Sequence, residues 1–284
     1  FFFNQKTAYE IYQCDWSSDV CSSDLIQTAM QDNGVTSALA VSAALQISAA
    51  LIARTMPRTL LGPDSVTGRI RDQVRAELSQ LLAGAQHLAQ RPTALKALLV
   101  VVCHRTVFGL VTVTSIVLLR NGIHVPTAAA VALGDFALVV GSAAIGAFIG
   151  AVLTPVMAGR IGTRQWSATT LWIGGVMAGA LMAATVIGAR EMWAIYALMG
   201  CALFLGWTGQ CVKVCSDSIT QELVADSHRG RVFALYDMAV NVGLVIGIIT
   251  AANNLDGDGR SLWAVFFIVT VLPAATLLLR VPRT

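Results

Sequence analysis

Charged residues are scarce in this sequence, and their scarcity excludes most soluble folds. Asp, Glu, Lys and Arg make up only 12% of the 284 residues, about half the share found in average soluble domains. Apolar residues make up 56%, and the mean hydropathy is +0.69. A chain of this composition is predicted to lie in a membrane.

Motifs for catalysis and for metal binding are also lacking. The sequence contains no P-loop, no nucleophile motif and no cluster of metal ligands. Cys211 and Cys215 share a helix face, but no nearby histidine completes a metal site, and the cysteines form no disulfide framework. The net charge of +3 is confined to short loops. We therefore expect no enzyme activity, no cofactor and no nucleic-acid partner.

The first 25 residues differ from everything that follows. Residues 5–11 (QKTAYEI) and 15–25 (DWSSDVCSSDL) resemble the translated adapters of short-read sequencing libraries. We exclude residues 1–25 from the fold, so Cys14 and Cys21 carry no chemistry. We expect the natural protein to continue upstream of residue 26.

Seven apolar runs are long enough to cross a bilayer as helices. They cover residues 35–53, 95–119, 128–157, 166–187, 192–214, 232–252 and 262–279. The sequence therefore predicts an all-α fold, a polytopic bundle of seven transmembrane helices. Small residues four apart, such as Gly146 with Gly150, Gly175 with Gly179, and Gly243 with Gly247, are expected to let these helices approach closely.

The only long polar segment covers residues 54–96. Its apolar residues recur three and four apart, which predicts an amphipathic helix: Val66, Ile70, Val74, Leu78, Leu81, Leu82, Ala85 and Leu88. Asp64 and Ser65 are its expected N-terminal cap, and Pro92 its expected end. With this segment inside the cell, the inner loops hold thirteen Lys and Arg and the outer loops three. That asymmetry predicts a cytoplasmic C-terminus.

This arrangement resembles the centre and second half of a major facilitator superfamily transporter. Residues 77–99 (ELSQLLAGAQHLAQRPTALKALL) look like the linker helix and the entry to helix seven in the siderophore- and drug-exporter branch. Residues 222–235 (ELVADSHRGRVFAL) are similar to that branch's turn between helices ten and eleven. Residues 159–164 (GRIGTR) resemble the superfamily's cytoplasmic gate motif, with Gly159 where the motif has an acid.

The resemblance covers residues 35–284 and implies a partial major facilitator fold. Residues 26–54 would be the last helix of the N-terminal half, 55–94 the cytoplasmic linker, and 95–284 the C-terminal six-helix half. The implied activity is proton-coupled efflux of small amphipathic molecules, of drug or siderophore type, across the cell membrane by alternating access. The implied partners are the substrate, protons or another ion, the lipid bilayer and the missing N-terminal half. The alternative is an unrelated seven-helix receptor or light-driven pump.

Arg105, Asp135 and Asp237 lie well inside apolar runs, where an ionisable group is costly and usually has a partner. Arg105 and Asp135 are predicted at similar depths on adjacent antiparallel helices, so we expect them to pair. The pair either holds the two helices together or exchanges as protons or substrate pass. Asp237 is a further candidate for proton coupling, although a pair with Arg160 or Arg231 is the favoured interpretation.

Five residues are candidates for lining the substrate cavity: His104, Arg105, Trp207, Gln210 and Asn241. The assignment of Trp207 and Gln210 follows from the resemblance, because helices seven and ten face the centre in this superfamily. A membrane histidine such as His104 is more often a hydrogen-bonded packing residue than a proton carrier. Lys213, near the predicted end of its helix, is expected to extend to the inner membrane surface.

The expected cytoplasmic gate combines acidic and basic residues near the inner ends of the helices: Arg160, Arg164, Asp217, Glu222, Asp226, Arg229 and Arg231. Asp217, Glu222 and Asp226 are proposed to replace the acid missing at Gly159 by gripping Arg160 or Arg164.

Overall fold

The computed structural model describes residues 34–55, 70–124, 129–189 and 191–279, which contain helices and no strand. The adapter-like residues 1–25 and the expected cap at Asp64 and Ser65 lie outside the described residues. The prediction of an all-α fold is confirmed.

Eight α-helices follow one another along the described chain. They are α1 (Gly34–Thr55), α2 (Ile70–Ala89), α3 (Pro92–Val117), α4 (Ala129–Ile161), α5 (Thr163–Ile187), α6 (Trp193–Leu223), α7 (Asp226–Asn254) and α8 (Trp263–Ala275). A π-helical segment, Leu118–Ile123, continues α3, and a 3-10 helix, Thr276–Leu279, continues α8.

Five of the described helices, α3 to α7, are long and apolar enough to cross a membrane by length and composition. Two shorter apolar segments, Ala43–Ile52 and Trp263–Leu279, occupy the places of the first and last predicted spans. The predicted seven-helix bundle is thus present as five full-length spans and two shorter apolar helices.

The chain divides into two compact units, residues 1–74 and 75–284. In the first unit, α1 is apolar along its length and exposes large side chains, including Ile47 and Ile52. In the second unit, α4 packs mainly on α6, α3 mainly on α7, and α5 on both α6 and α8.

Coverage of the membrane helices in the second unit is uneven. In their most apolar windows, α4 and α7 are only 28% buried, whereas α3, α5 and α6 are 50–56% buried. The largest fully buried side chains accordingly come from α3, α5, α6 and α8: Leu110, Leu171, Met182, Leu198, Leu205, Ile268 and Leu272. Most of the apolar surface of α4 and of α7 is therefore left uncovered by the other described helices.

Glycines bring α4 and α6 into backbone contact. A Cβ added at Gly146 would overlap the carbonyl oxygen of Leu203, and one added at Gly206 would overlap that of Ala143. Helices can approach this closely only where neither side chain intervenes. The predicted packing role of Gly146 is confirmed.

The α3–α7 contact is built in the same way from both sides. A Cβ on Gly247 of α7 would overlap the carbonyl of Thr106, and one on Gly109 of α3 would overlap the carbonyl of Leu244. A Cβ on Gly243 of α7 would likewise stand only 2.9 Å from the carbonyl oxygen of Val102. These contacts confirm the predicted role of Gly243 and Gly247.

The polar turn between the predicted spans 192–214 and 232–252 is much shorter than expected. The spans predict a turn over residues 217–231, but α6 continues to Leu223 and α7 starts at Asp226. Only Val224 and Ala225, both with extended backbone, separate the two helices. Polar residues end the apolar run without ending the helix, because a membrane helix can continue into water.

The predicted amphipathic helix is present as α2, which ends shortly before Pro92 opens α3. Its apolar face differs from the prediction, since Leu88 is buried whereas Leu82 is 64% exposed. Gly84 lies on the contact face, where an added Cβ would meet the Arg231 Cβ at 3.1 Å. The inward face therefore follows Gly84 and Leu88, and it packs on the start of α7.

Candidate functional site

Arg105 lies on the sector of α3 between the neighbouring helices α6 and α7. The carbonyls of Val102 and Thr106 face glycines of α7, and His104 faces α6. Successive helical residues are about 100° apart, so Arg105 projects between these two contacts. Measured from Pro92 at the start of α3, it is about 20 Å along the helix, well inside the span.

The surroundings of the Arg105 guanidinium are mostly uncharged. Its central carbon lies 5.9 Å from the centroid of the Phe108 ring, and Tyr236 of α7 is close enough to interact with it electrostatically. The side chain is half-buried. Among the described residues, no ion pair joins Arg105 to a carboxylate.

Asp237 follows Tyr236 on α7 and faces a different cation. Lys213 of α6 is the charged group that acts on it. By helical rise, Lys213 lies about 15 Å from the end of α6 and Asp237 about 17 Å from the start of α7. Both therefore lie near the depth of Arg105. Among the described residues, no ion pair joins Asp237 to Arg160 or Arg231, the partners that the sequence favours.

The expected pair of Arg105 and Asp135 is not formed. Asp135 instead contacts His124, with 2.6 Å between Oδ2 and Nε2. The reason is the π-helical continuation of α3 to Ile123, which places Arg105 about 27 Å from that outer end, whereas Asp135 is only about 9 Å from the start of α4. An arginine side chain cannot bridge the difference in depth.

His104 does not line an open cavity. The residue is only 3% exposed, and its Nε2–H donates a hydrogen bond to the carbonyl of Leu205 at 3.0 Å. A Cβ at Gly209 would overlap the imidazole ring, so the missing side chain at that position makes room for it. His104 is a packing residue that ties α3 to α6.

Trp207 and Gln210 are half-buried on α6, on the side that contacts α4 and α5. Trp207 packs edge-on against Trp166 and Phe204, with ring centroids 6.1 and 6.3 Å apart. The Gln210 Cβ lies 3.2 Å from where a Cβ would stand on Gly150 of α4. These residues therefore lie on the side of α6 that faces α4 and α5.

Asn241 is exposed on α7, one turn beyond Asp237. Its side-chain amide donates to the Asp237 backbone carbonyl at 3.0 Å. The two side chains thus form a short polar stripe on the uncovered part of α7.

One end of the bundle, where α3 and α5 begin and α6 finishes, gathers arginines that satisfy helix termini. The charge asymmetry of the sequence predicts that this is the inner end. Arg91 donates to the carbonyl of Leu223, and Arg229 donates to the carbonyl of Gln221 at 3.0 Å. These carbonyls belong to the last turn of α6 and have no partner within the helix. Arg164, at the start of α5, lies 3.5 Å from the Thr93 hydroxyl.

Two of the three acids expected to grip Arg160 or Arg164 form no ion pair with them among the described residues. Asp226 pairs with Arg229, one turn away on α7, at 2.6 Å. Glu222 and Arg160 are exposed. The grip on Arg160 or Arg164 stays a prediction.

Two further gate residues have contacts inside the unit. Asp217 is buried near the inner part of α6, and Arg231 packs its Cβ beside Gly84 of α2. Gly159 faces open space, so an acid would fit there sterically.

A pair of histidines joins α2 to α7 at this inner end. The rings of His87 and His228 stack with centroids 4.4 Å apart and planes 8° apart. Burial lowers the pKa of His87, and the neighbouring His228 and Arg91 lower it further. The neutral form of the His87 ring is therefore favoured in this arrangement.

Four contact residues were missed by sequence reasoning: Phe108, His124, Lys213 and Tyr236. The sequence places Lys213 at the inner membrane surface only because its helix is predicted to end at residue 214. Its presence inside an apolar run was the signal that could have identified it. No comparable sequence signal marks Phe108 or Tyr236. Within the described ranges, no group of three His, Cys, Asp or Glu could hold a metal ion.

The fold and these charges define a class, a multi-pass helical membrane protein with ionisable groups gathered inside its spans. Residues 106–282 match the family described as "Sugar (and other) transporter". The chain belongs to this family. The alternative of an unrelated receptor or light-driven pump is therefore wrong.

Two relatives are described as uncharacterized MFS-type transporters, one from Mycobacterium bovis and one from Mycobacterium tuberculosis. Each is 32% identical over 228 residues, which cover 79% of this chain and 49% of the relative. The chain thus spans about half the length of these relatives. No solved structure matches it. The resemblance to the major facilitator superfamily is confirmed.

Proposed function

We propose that this chain is the second half of a secondary active transporter, preceded by the last helix of the first half and a cytoplasmic linker. The proposed activity is the export of small amphipathic molecules by alternating access, coupled to protons or another ion. The observation that carries this proposal is the gathering of Arg105, Lys213 and Asp237 at one depth on three different helices. A merely structural bundle has little reason to retain such costly groups.

The uncovered apolar surfaces of α4 and α7 support the proposal that a first half is missing. Large apolar side chains of α4 and α7 are exposed: Leu138, Ile145, Phe148, Val152, Val242, Val245 and Ile249. A patch of this kind requires lipid or protein to cover it. We infer that the first half of the same protein covers it, with residues 26–54 as its last helix and 55–94 as the linker.

The proposed orientation places the arginine-rich end in the cytoplasm. Arg91, Arg164 and Arg229 all lie at the end of the bundle where α3 and α5 begin and α6 finishes. Positive charge favours the cytoplasmic side, so the proposed location of the C-terminus is the cytoplasmic side of the cell membrane. Contacts between these arginines and the first half would then form the cytoplasmic gate.

The proposed substrate cavity lies where the two halves would meet. Arg105, Gln210, Trp207 and Asn241 remain its candidates, while His104 is removed because α6 covers it. The half-buried aromatic and amide groups suit an amphipathic molecule, which offers both apolar and polar surface. A drug or a siderophore is such a molecule.

We assign proton coupling to Asp237 and Lys213. A carboxylate facing a lysine can exchange that partner for a proton as the site opens to either side. Replacing the carboxylate by an amide leaves no group that can exchange the lysine for a proton. The coupling between proton and substrate is therefore expected to be lost in Asp237→Asn.

The test uses the complete natural protein in proteoliposomes with an imposed proton gradient. Flux of a panel of fluorescent cations, neutral molecules and anions is measured in wild type, Asp237→Asn and Asp256→Asn. We expect Asp237→Asn to lower gradient-driven flux by about tenfold. Asp256 is exposed in the loop before α8, so its variant is the matched control.

The response of flux to the imposed gradient separates a loss of coupling from a loss of folding. Asp237→Asn should retain gradient-independent exchange while its flux no longer responds to the gradient. Equal gradient dependence in wild type and Asp237→Asn would show that this carboxylate is not the coupling residue. Flux of no panel compound by folded wild-type protein would contradict the proposed transport function.

A further inference from the structure

Arg105 carries a charge for which the described part of the molecule provides no opposite charge. Arg91 and Arg229, at the inner end, have carbonyl or carboxylate partners. Arg105, by contrast, has the Phe108 ring and Tyr236 as its neighbours. An arginine far inside a membrane span is costly without a partner. Its counter-charge must therefore come from elsewhere.

Among the described residues, no ion pair joins Arg105 to Asp237, an acid at a similar depth. Asp237 adjoins Tyr236 in sequence, but the positive charge acting on it is Lys213. Two cations and one carboxylate thus occupy this depth. Asp135, the acid expected to balance Arg105, is held by His124 close to the outer end. The local excess of positive charge favours an anion.

The position of Arg105 leaves it reachable. The side chain is half-buried, whereas its neighbour His104 is fully covered by α6. The glycine contacts of Val102 and Thr106 fix the rotation of α3 against α7. Arg105 is thereby held in the sector between α6 and α7, where Tyr236 also lies.

We propose that Arg105 is an anion-binding residue of the substrate cavity, and that the carried molecule is an amphipath with a carboxylate, sulfonate or phosphate group. This proposal rests on the proposed transport function and names its substrate class. A guanidinium presents a planar set of donors that match such groups in bidentate geometry. The half-buried Phe108 ring provides an apolar surface beside it for the body of the molecule.

The test measures binding rather than transport. The complete natural protein is placed in lipid nanodiscs and titrated by calorimetry with a series of 4-alkylbenzoates of increasing chain length. Each acid is paired with its uncharged 4-alkylbenzamide, so that the two probes differ only at the anionic group. Empty nanodiscs provide the blank for partition into lipid.

We expect the wild-type protein to bind benzoates more tightly than the matched amides. Arg105→Gln should weaken benzoate binding by about tenfold and leave amide binding unchanged. Arg105→Lys keeps the charge and should retain part of the preference. Arg120→Gln, at an exposed position near the outer end of α3, removes an arginine without affecting either probe.

Three results would overturn the proposal. They are equal binding of benzoate and amide by the wild type across the series, absence of binding to either, and an anion preference that survives in Arg105→Gln. The last would mean that a residue other than Arg105 binds the anionic group. Amide binding and monodispersity of Arg105→Gln exclude misfolding as the cause of a lost preference.

Binding and flux can fail independently. A benzoate preference that depends on Arg105, found together with no gradient-driven flux, would support the anion site and contradict the transport function. Gradient-driven flux without any dependence of anion binding on Arg105 would contradict only the anion site.

Discussion

The inner end of the bundle and its mid-depth region use the same residue types for different purposes. At the inner end, Arg91 and Arg229 bind carbonyls at the last turn of α6, and His87 stacks on His228. At mid-depth, Arg105 has aromatic neighbours and no described carboxylate partner. The difference teaches that the groups available in the surroundings, rather than the residue type, decide whether an arginine stabilises the fold or is left to bind a ligand.

The two regions also differ in how they are held together. Backbone contacts through Gly109 and Gly247 bring α3 directly against α7 at mid-depth. The inner end is joined by side chains, as in the Arg91 and His87 contacts. Substitutions that add volume at mid-depth should therefore be poorly tolerated. The side-chain contacts at the inner end can instead break and re-form one at a time.

The largest effect is expected from Gly247→Val, which breaks the mid-depth packing. The new side chain would overlap the Thr106 carbonyl, so α3 and α7 must separate. We expect a loss of about 3 kcal/mol or more in the free energy of unfolding, near the upper end for overpacking. Thermal unfolding followed by size-exclusion chromatography measures the change.

Gly230→Val is the matched control on the same helix, because no atom lies within 4 Å of the added Cβ. If both variants unfolded at the wild-type temperature, close backbone contact could not be what joins α3 to α7.

A smaller effect is expected from His104→Leu, which tests whether the mid-depth histidine is structural. The change removes the hydrogen bond to the Leu205 carbonyl and should cost about 1 kcal/mol. The pH dependence of flux should remain that of the wild type. A shifted pH profile with unchanged stability would instead identify His104 as a proton carrier and erase its contrast with Asp237.

The smallest effect concerns the inner end and its response to pH. Because the pKa of His87 is lowered in the folded state, folding disfavours its protonation. The contact between α2 and α7 is thus complete above the unfolded-state pKa of about 6.5 and is lost as pH falls toward the lower folded-state value. Arg91, which also acts on His87, adds to the repulsion of the protonated His87 ring.

Hydrogen exchange of the α2 amides at about pH 7.5 and about pH 5.5 measures this response after correction for intrinsic rates. Protection in the wild type should fall at the lower pH, and His87→Gln should reduce the difference. His124→Gln, altered at the opposite end, should respond as the wild type does. Identical protection at both pH values would show that the stack is not sensitive to protonation.

Much of the fold could be predicted because single helices in a membrane follow simple rules. Apolar run length indicated α3 to α7, and the spacing of Gly243 and Gly247 indicated their packing role. Helix ends were less predictable, since polar residues such as Asp217 continue α6 beyond its apolar run. That error displaced Lys213 to a membrane edge and hid its electrostatic interaction with Asp237.

The candidate site was predicted only in part. Arg105 and Asp237 were found because charged residues in apolar runs are rare and conspicuous. Their partners were assigned wrongly, as the contact of Asp135 with His124 demonstrates. Depth estimates shift by a helical turn when a helix end moves by four residues, and one turn is enough to exchange partners.

The sequence by itself determined the class of protein, the number and order of its apolar helices, and the rows of small residues that let them pack. These follow from the thickness of the bilayer and the need to satisfy backbone hydrogen bonds within each span. The tertiary structure decided which polar groups meet. Helix rotation and register set those contacts, so that His104 is buried against α6 while Arg105, one residue and about 100° further on, remains half-buried beside the Phe108 ring.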